Sequence, residues 1–214
     1  MARPQTDIEA SRLQLLEIVD DLVRERGSAD ISMTDLAAAA GMSPSNLYRF
    51  FDSKEALMGA VAEKWFSEKI SIMEDVTASD LCVRDKMFAF FARRFALMVE
   101  QYEADPDLLK SYLEIGNQYF EVVRGYVDLG DHYLALIVAE AMEQGYFNGL
   151  SIDEAVSLIN QMMQCYTNPE AIIYIGTGKL KEAKLARIVD TIFAGLGKST
   201  ETGMSGEQHI KIVS

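Results

Sequence analysis

The chain has 214 residues, 49% of them hydrophobic, and a formal net charge of −13; this length suffices to bury roughly 70% of the unfolded surface in one domain or two small ones, while the acidity excludes a generic polyanion binder. No apolar run approaches the ~20 residues of a membrane span, and the start, Met1-Ala2-Arg3-Pro4-Gln5-Thr6-Asp7, lacks the apolar region of a signal peptide. Cys82 and Cys165 are too few and too far apart for a disulfide scaffold or a metal knuckle, which points to a reduced, cytoplasmic protein.

A first helix is expected from about Thr6 to Arg26, with Ile8, Leu15, Ile18, Leu22 and Val23 on one stripe and Gly27 as its stop. The stretch from Ile31 to Leu57 then carries a dense series of helix signals. Ser32 followed by Asp35 forms a capping-box pattern; Met33, Leu36, Ala37 and Ala40 give an apolar face, and Gly41 stands where a left-handed residue ends a helix. After Gly41-Met42, Ser43 caps a second helix with Pro44 in its first position. Ser53 caps a third that begins at Lys54. Two helices joined by so short a glycine-bearing turn make a helix-turn-helix.

On the second of these helices Leu47 and one of Phe50 or Phe51 face a core, leaving Ser45, Asn46, Tyr48 and Arg49 for a partner. Short polar side chains near a helix N-terminus reach base edges in a major groove: Asn46 can pair with adenine and Arg49 with guanine or phosphate. Residues 1–66 hold seven Lys and Arg against eleven Asp and Glu. Phosphate contacts must therefore come from a local surface of Arg49, Lys54 and Arg3 or Arg12, with a modest salt slope per subunit.

The run from Thr34 to Leu57, TDLAAAAGMSPSNLYRFFDSKEAL, resembles the DNA-binding signature of TetR-type transcriptional regulators: a Leu-Ala, an Ala-Gly, a Leu-Tyr, a Phe and a Ser-Lys-Glu-x-Leu recur at these spacings. The resemblance covers about the first third of the chain. It implies DNA contacts by Ser32 and Thr34, by Ser43, Ser45, Asn46, Tyr48 and Arg49, and by Lys54. Phe50 departs from the family, which often has His or Tyr there to meet phosphate.

Beyond the third helix, which is expected to link two regions over residues 54–75, Thr77-Ala78-Ser79-Asp80 reads as a break. Met87, Phe88, Phe91, Phe95, Met98 and Tyr102 then share a helical stripe ending before Asp105-Pro106, and further helices are expected over Leu108 to Tyr126 and His132 to Phe147, closed by Asn148-Gly149. A second capping box, Ser151 and Glu154, begins a helix carrying Ile152, Val156, Ile159, Met163 and Tyr166. Asn168-Pro169 restarts or breaks it, and Leu180 to Leu196 forms the last helix, with Leu185, Ile188, Val189, Ile192 and Phe193. The final two helices carry wide apolar stripes, and a dimer interface through Ile152, Val156, Ile159, Leu185, Ile188, Ile192 and Phe193 would cover them. The polar tail from Lys198 has apolar anchors in Ile210, Ile212 and Val213.

The family resemblance implies that this second region senses a small molecule, in a pocket among the helices bearing Phe88, Phe91, Phe95, Tyr112, Tyr119 and Met142. Such side chains are ordinarily core; as pocket walls they suit an apolar or aromatic effector. Catalytic groupings are scarce. Gly176-Thr177-Gly178-Lys179-Leu180 fails as a phosphate loop, with Ile173 where a glycine is needed and Leu180 where Ser or Thr should hold a metal.

The expectation is an all-α chain: an N-terminal three-helix helix-turn-helix DNA-binding domain (residues 1–53), a larger helical effector-binding and dimerisation domain (76–197), and a tail (198–214). Function follows as a ligand-responsive regulator, most simply a repressor, that is not an enzyme, needs no cofactor or metal, and has double-stranded DNA, a small-molecule effector and a second copy of itself as partners. The alternative is a helical small-molecule-binding or protein-interaction module with weakened DNA recognition, for which the acidic first domain and Phe50 speak.

Overall fold

The computed structural model describes residues 5–28 and 30–197; the arm bearing Arg3, and the tail with Ile210, Ile212 and Val213, lie outside them. Helix α1 (Gln5–Arg26) buries Leu15, Leu16, Val19, Leu22 and Val23. It stops where Gly27, at φ +58, donates to the Val23 carbonyl at 2.9 Å. Helix α2 (Met33–Ala39) starts on the expected capping box and ends at Gly41, φ +64, with Met42 N–H reaching back to the Ala37 carbonyl at 2.9 Å. Helix α3 (Pro44–Leu47) is a single turn capped by Ser43, and the chain continues in turns through Phe50. Ile31, Leu36, Leu47 and Phe51 are each at most 1% exposed; full burial of such side chains stabilises by about 1.5–3 kcal/mol apiece.

Helix α4 (Lys54–Ala78) is the strut of the molecule. Its 25 residues span about 37 Å, so Leu57, Met58 and Val61 belong to the N-terminal core while Met73 and Val76 belong to a second one. That second core is made by α5 (Val83–Ala104), α7 (Phe120–Glu143), α8 (Ile152–Thr167), the short α9 (Pro169–Ile175) and α10 (Glu182–Gly195). The described residues hold helices and turns without a strand, so the chain is all-α.

Two expectations are corrected. The helix expected from Leu108 to Tyr126 ends early: α6 (Pro106–Gln118) stops at Tyr119, whose φ −114 and ψ 42 are not helical, and α7 then runs unbroken to Glu143. Gly125, Gly130 and the Asp128–Asp131 run look like breakers, yet the helix passes through them because neighbouring helices hold it. Gly130 sits where Met73 Sδ and Arg94 Nη2 pass, each 3.9 Å from the place a Cβ would occupy. The second correction concerns α6. Leu108, Tyr112, Ile115 and Tyr119 pack into the N-terminal core with Leu15, Val19 and Val61, although they lie far along the chain in the second region.

Candidate nucleic-acid interface

The recognition turn is built by three serine caps, at Ser32, Ser43 and Ser53. Ser32 Oγ accepts from Asp35 N–H at 3.1 Å, Ser43 Oγ from Asn46 N–H at 3.3 Å, and Ser53 Oγ from Ala56 N–H at 3.1 Å. With Leu47 fully buried, the helical spacing turns Ser45, Asn46, Tyr48 and Arg49 to solvent, and Thr34 and Ser43 are exposed beside them. Tyr48 is 49% exposed, unusual for a large ring and suited to a partner. Arg49 Nη1 lies 3.5 Å from Asn46 Oδ1; a contact this long leaves both side chains free to turn to a ligand.

Other expected contacts are already engaged. Ser32 donates its hydroxyl to Asp35, while Asp35 also accepts from Ser32 N–H at 2.9 Å and pairs with Arg26 at 2.7 Å. Arg26 first, then Ser32, hold the Asp35 carboxyl well below the usual range. Ser32 is therefore committed to its own cap, whereas Ser43 keeps a hydroxyl proton to donate. Lys54 Nζ pairs with Asp30 at 3.1 Å, which, with Tyr119 nearby, raises its pKa. Phosphate would have to displace Asp30. Arg12 is not available: Nη1 donates to the Phe50 carbonyl at 2.9 Å and the guanidinium lies 4.9 Å from the Phe51 ring centroid. Phe50 itself is half-buried against the N-terminal core.

Residues 20–61 match the family model described as bacterial regulatory proteins, tetR family, and residues 84–189 match tetracyclin repressor-like, C-terminal domain. The chain belongs to the TetR family. The HTH-type transcriptional repressor KstR2 of Rhodococcus jostii (strain RHA1) is 32% identical over 93 residues, 44% of this chain and 42% of the relative. That match thus spans under half of the relative's length. Among solved structures, a TetR-family transcriptional regulator from Mesorhizobium loti MAFF303099 aligns over 91% of this chain and 97% of its own, at TM-score 0.56 and 17% identity. The transcriptional regulator FadR from Bacillus subtilis, in complex with stearoyl-CoA, aligns over 86% and 98%, at TM-score 0.62 and 16% identity. These structural likenesses concern the fold. The matched families and these relatives are regulators and not enzymes, in keeping with the scarcity of catalytic groupings in the sequence.

In this TetR-family chain the six expected pocket residues do not line one cavity. Phe91 and Phe95 are buried in the C-terminal core, with Phe88 and Met142 packed at its edge, whereas Tyr112 and Tyr119 sit in the N-terminal core. Tyr112 stacks on Trp65, centroids 4.3 Å apart, and donates to Asp20 Oδ1 at 2.6 Å; burial foremost pushes its hydroxyl pKa up. Two concavities among the described residues are open grooves. One of about 340 Å³ runs between α1, α4, α5 and α6, past Trp65, Gln101, Leu108 and Tyr112. Another of about 520 Å³ follows Phe95 and Val99 of α5, rimmed by Glu100, Glu103 and Glu182.

The expected dimer residues are also redistributed. Val156, Ile159, Leu185 and Ile192 are buried within their own subunit; Ile188 and Phe193 are half-buried there, Phe193 against Tyr146 and Phe147. Of the seven, Ile152 alone is exposed. Among the exposed apolar side chains of the described residues, Leu158 and Met162 join Ile152 on α8, and Tyr174 and Ile175 stand on α9, Tyr174 being 83% exposed. The signal for them was in the sequence: α8 carries a second stripe, Leu158, Met162 and Cys165, beside the Val156, Ile159, Met163 and Tyr166 stripe.

Sequence patterns held no sign of the ties across the two regions. Asp20 of α1 takes the Tyr112 hydroxyl and pairs with Lys64 at 2.9 Å, and Arg24 pairs with Asp105 at 2.8 Å.

Proposed function

We propose that this protein is a transcriptional repressor that binds a palindromic operator as a homodimer and is released by a small effector with an apolar body. The observation carrying the reading is the exposed polar face of the helix-turn-helix: Ser45, Asn46, Tyr48 and Arg49 outward, opposite the buried Leu47 and Phe51. Two such faces would enter successive major grooves, about 34–36 Å apart. Thr34 and Ser43 fix the register on phosphates, while Ser32 acts through its cap. The names of the relatives support this reading, KstR2 as a repressor and FadR as a regulator holding stearoyl-CoA. A second copy would cover Leu158, Met162, Tyr174 and Ile175.

Release follows from the build of α4 and α6. The strut α4 belongs to both cores, and α6 is tied to α1 by Tyr112 with Asp20 and by Arg24 with Asp105. An effector that prefers the arrangement with the two reading helices wrongly spaced lowers DNA affinity by that preference, typically about 1–3 kcal/mol. Selection of binding sites from random duplex DNA tests the reading: an enriched palindrome is expected, and its absence would favour a module that has lost DNA recognition. Light scattering tests assembly separately, a dimer at micromolar concentration being expected.

A further inference from the structure

Lys69 and Arg94 stand in the seam between α4, α5 and α7 without a carboxylate. Lys69 is 9% exposed; its Nζ donates to two neutral acceptors, the Trp65 carbonyl and Gln101 Oε1, both at 3.2 Å, and lies 3.8 Å from the Trp65 ring centroid. Arg94 reaches across to α7, with Nη2 beside Gly130 and its guanidinium 4.9 Å from the Phe90 ring centroid. Among the described residues neither has an ion pair. The acids that act on them are Glu68, exposed and next to Lys69 in sequence, and Asp131, also exposed and accepting from Asn160 Nδ2 at 2.8 Å.

A lysine of like burial shows how this fold satisfies an ammonium. Lys86, 8% exposed, pairs with Glu140 at 2.8 Å and donates to the Thr77 carbonyl. Lys69 has instead a second cation as its neighbour. Burial first, and then repulsion from Arg94, push the Lys69 pKa down to about 7; burial likewise lowers Arg94, to about 10. Two cations that desolvate and repel each other cost stability unless an anion joins them. The path to Lys69 is open on one side: its partners Gln101 and Trp65 both line the 340 Å³ groove, together with Leu108, Leu109 and Tyr112, the exposed Glu68, and the pairs Asp20 with Lys64 and Asp105 with Arg24.

We propose that Lys69, with the charge of Arg94 behind it, receives the anionic head, a carboxylate or phosphate, of an amphipathic effector whose apolar body lies in the groove past Trp65, Leu108 and Tyr112. This deepens the repressor reading and rests on it for its regulatory meaning. The head displaces Gln101 from Lys69 and takes a charge-assisted hydrogen bond from its ammonium, while Arg94 adds to the positive field there. The body meets Tyr112, the residue that ties α6 to α1, so occupancy of the seam bears on the spacing of the reading helices.

The site can be tested without DNA, so its failure and that of the repressor reading are distinguishable. Trp65 is the chain's single tryptophan and touches the Lys69 ammonium, which makes its fluorescence a local reporter. Dodecanoate, dodecyl phosphate and dodecanol are titrated by calorimetry and by Trp65 emission. At least one of the two anions should bind about tenfold or more tightly than the neutral alcohol, and which of them does identifies the head group. Lys69→Met and Arg94→Gln should each weaken that anion about tenfold and leave dodecanol unchanged. Arg94→Lys, which keeps the charge, should retain most of the affinity and carries the test if Arg94→Gln does not fold. Equal binding of anion and alcohol, undiminished binding in Lys69→Met, or binding of neither anion would overturn the proposal.

Discussion

In the N-terminal unit Arg24, Arg26, Lys54 and Lys64 each meet a carboxylate, whereas in the seam above it Lys69 and Arg94 meet none. The acidic chain thus neutralises Lys54 at the foot of α4 and the cations that tie α1 to α4 and α6, while Arg49 and the two inner cations are left without a carboxylate. Pairing at the surface stabilises little, about 0–1 kcal/mol per exposed pair, so its main effect is to reduce the positive field toward phosphate. Leaving buried cations unpaired costs far more. Under the repressor reading proposed above, the first arrangement would make DNA binding depend on a few base contacts and on two copies acting together; under the effector proposal, an anion at Lys69 would relieve a standing repulsion.

The largest expected effect lies in the scaffold of the first region. Phe51 is 1% exposed, with Arg12 over its ring, and Phe51→Ala should lower stability by about 3–5 kcal/mol. If chemical denaturation shows two transitions, the earlier should be the one that moves. A single coincident shift would mean that α4 and α6 bind the two cores into one cooperative unit.

Next come the reading residues. Asn46→Ala and Arg49→Ala should each weaken specific DNA binding by about 1–3 kcal/mol while leaving stability almost unchanged, since both are exposed. Footprints on the selected site measure this. Ser32→Ala should behave differently, weakening DNA binding only in step with a loss of stability of about 0.5–2 kcal/mol, because its hydroxyl is taken up by the cap.

How much of this was legible in the sequence follows the range of the interactions. The caps at Ser32, Ser43, Ser53 and Ser151, the restart at Asn168-Pro169 and the stop at Gly41 are decided by groups within a few residues of one another, and pattern reading located all of them. The break at Tyr119 has no such local signal, and Gly125 and Gly130 suggest one where none occurs. The aromatic set divides between two cores because α6 folds back onto α1; the Tyr112 hydrogen bond to Asp20 joins residues 92 positions apart, and no periodicity within α6 announces it. The seam was hard to see for the same reason. Lys69 stands among Ser67, Glu68 and Ser71, and Arg94, beside Arg93, could meet an acidic ligand but reads more simply as one half of a surface ion pair until three helices close around it.

A pH titration of stability probes the seam. The unfolded ammonium of Lys69 keeps its proton to about pH 10.5, whereas the folded one loses it near 7. Between these values the unfolded chain binds more protons, so stability rises with pH across the window, and below about 7, where both states hold the proton, the contribution of Lys69 becomes flat. From pH 7 to 8 the gain is about 1 kcal/mol. Lys69→Met should remove this slope and raise the melting temperature at pH 7. Glu68, Arg94 and Asp131, the charged groups that act on the pair, remain in that variant, and an unchanged slope would trace the effect to other groups.

The smallest expected effect is the most direct reversal of the contrast between the two regions. Lys54 stands at the first turn of α4, where a phosphate would find the helix dipole as well as the ammonium, but Asp30 holds it at 3.1 Å. Asp30 is itself largely exposed, so Asp30→Asn should change stability by less than about 1 kcal/mol. It should nonetheless free one cation per subunit for phosphate. The slope of log affinity against log salt then steepens by about 0.9 for each further phosphate neutralised, hence by about 1.8 for a dimer. Affinity should rise for any duplex and not only for the selected site, because neutralising a phosphate carries no sequence information. A steeper slope with unchanged sequence preference would show that the acidic side chain restrains non-specific binding; an unchanged slope would mean that Lys54 is turned toward Tyr119 and the second region, and that its pairing serves the link between the two cores.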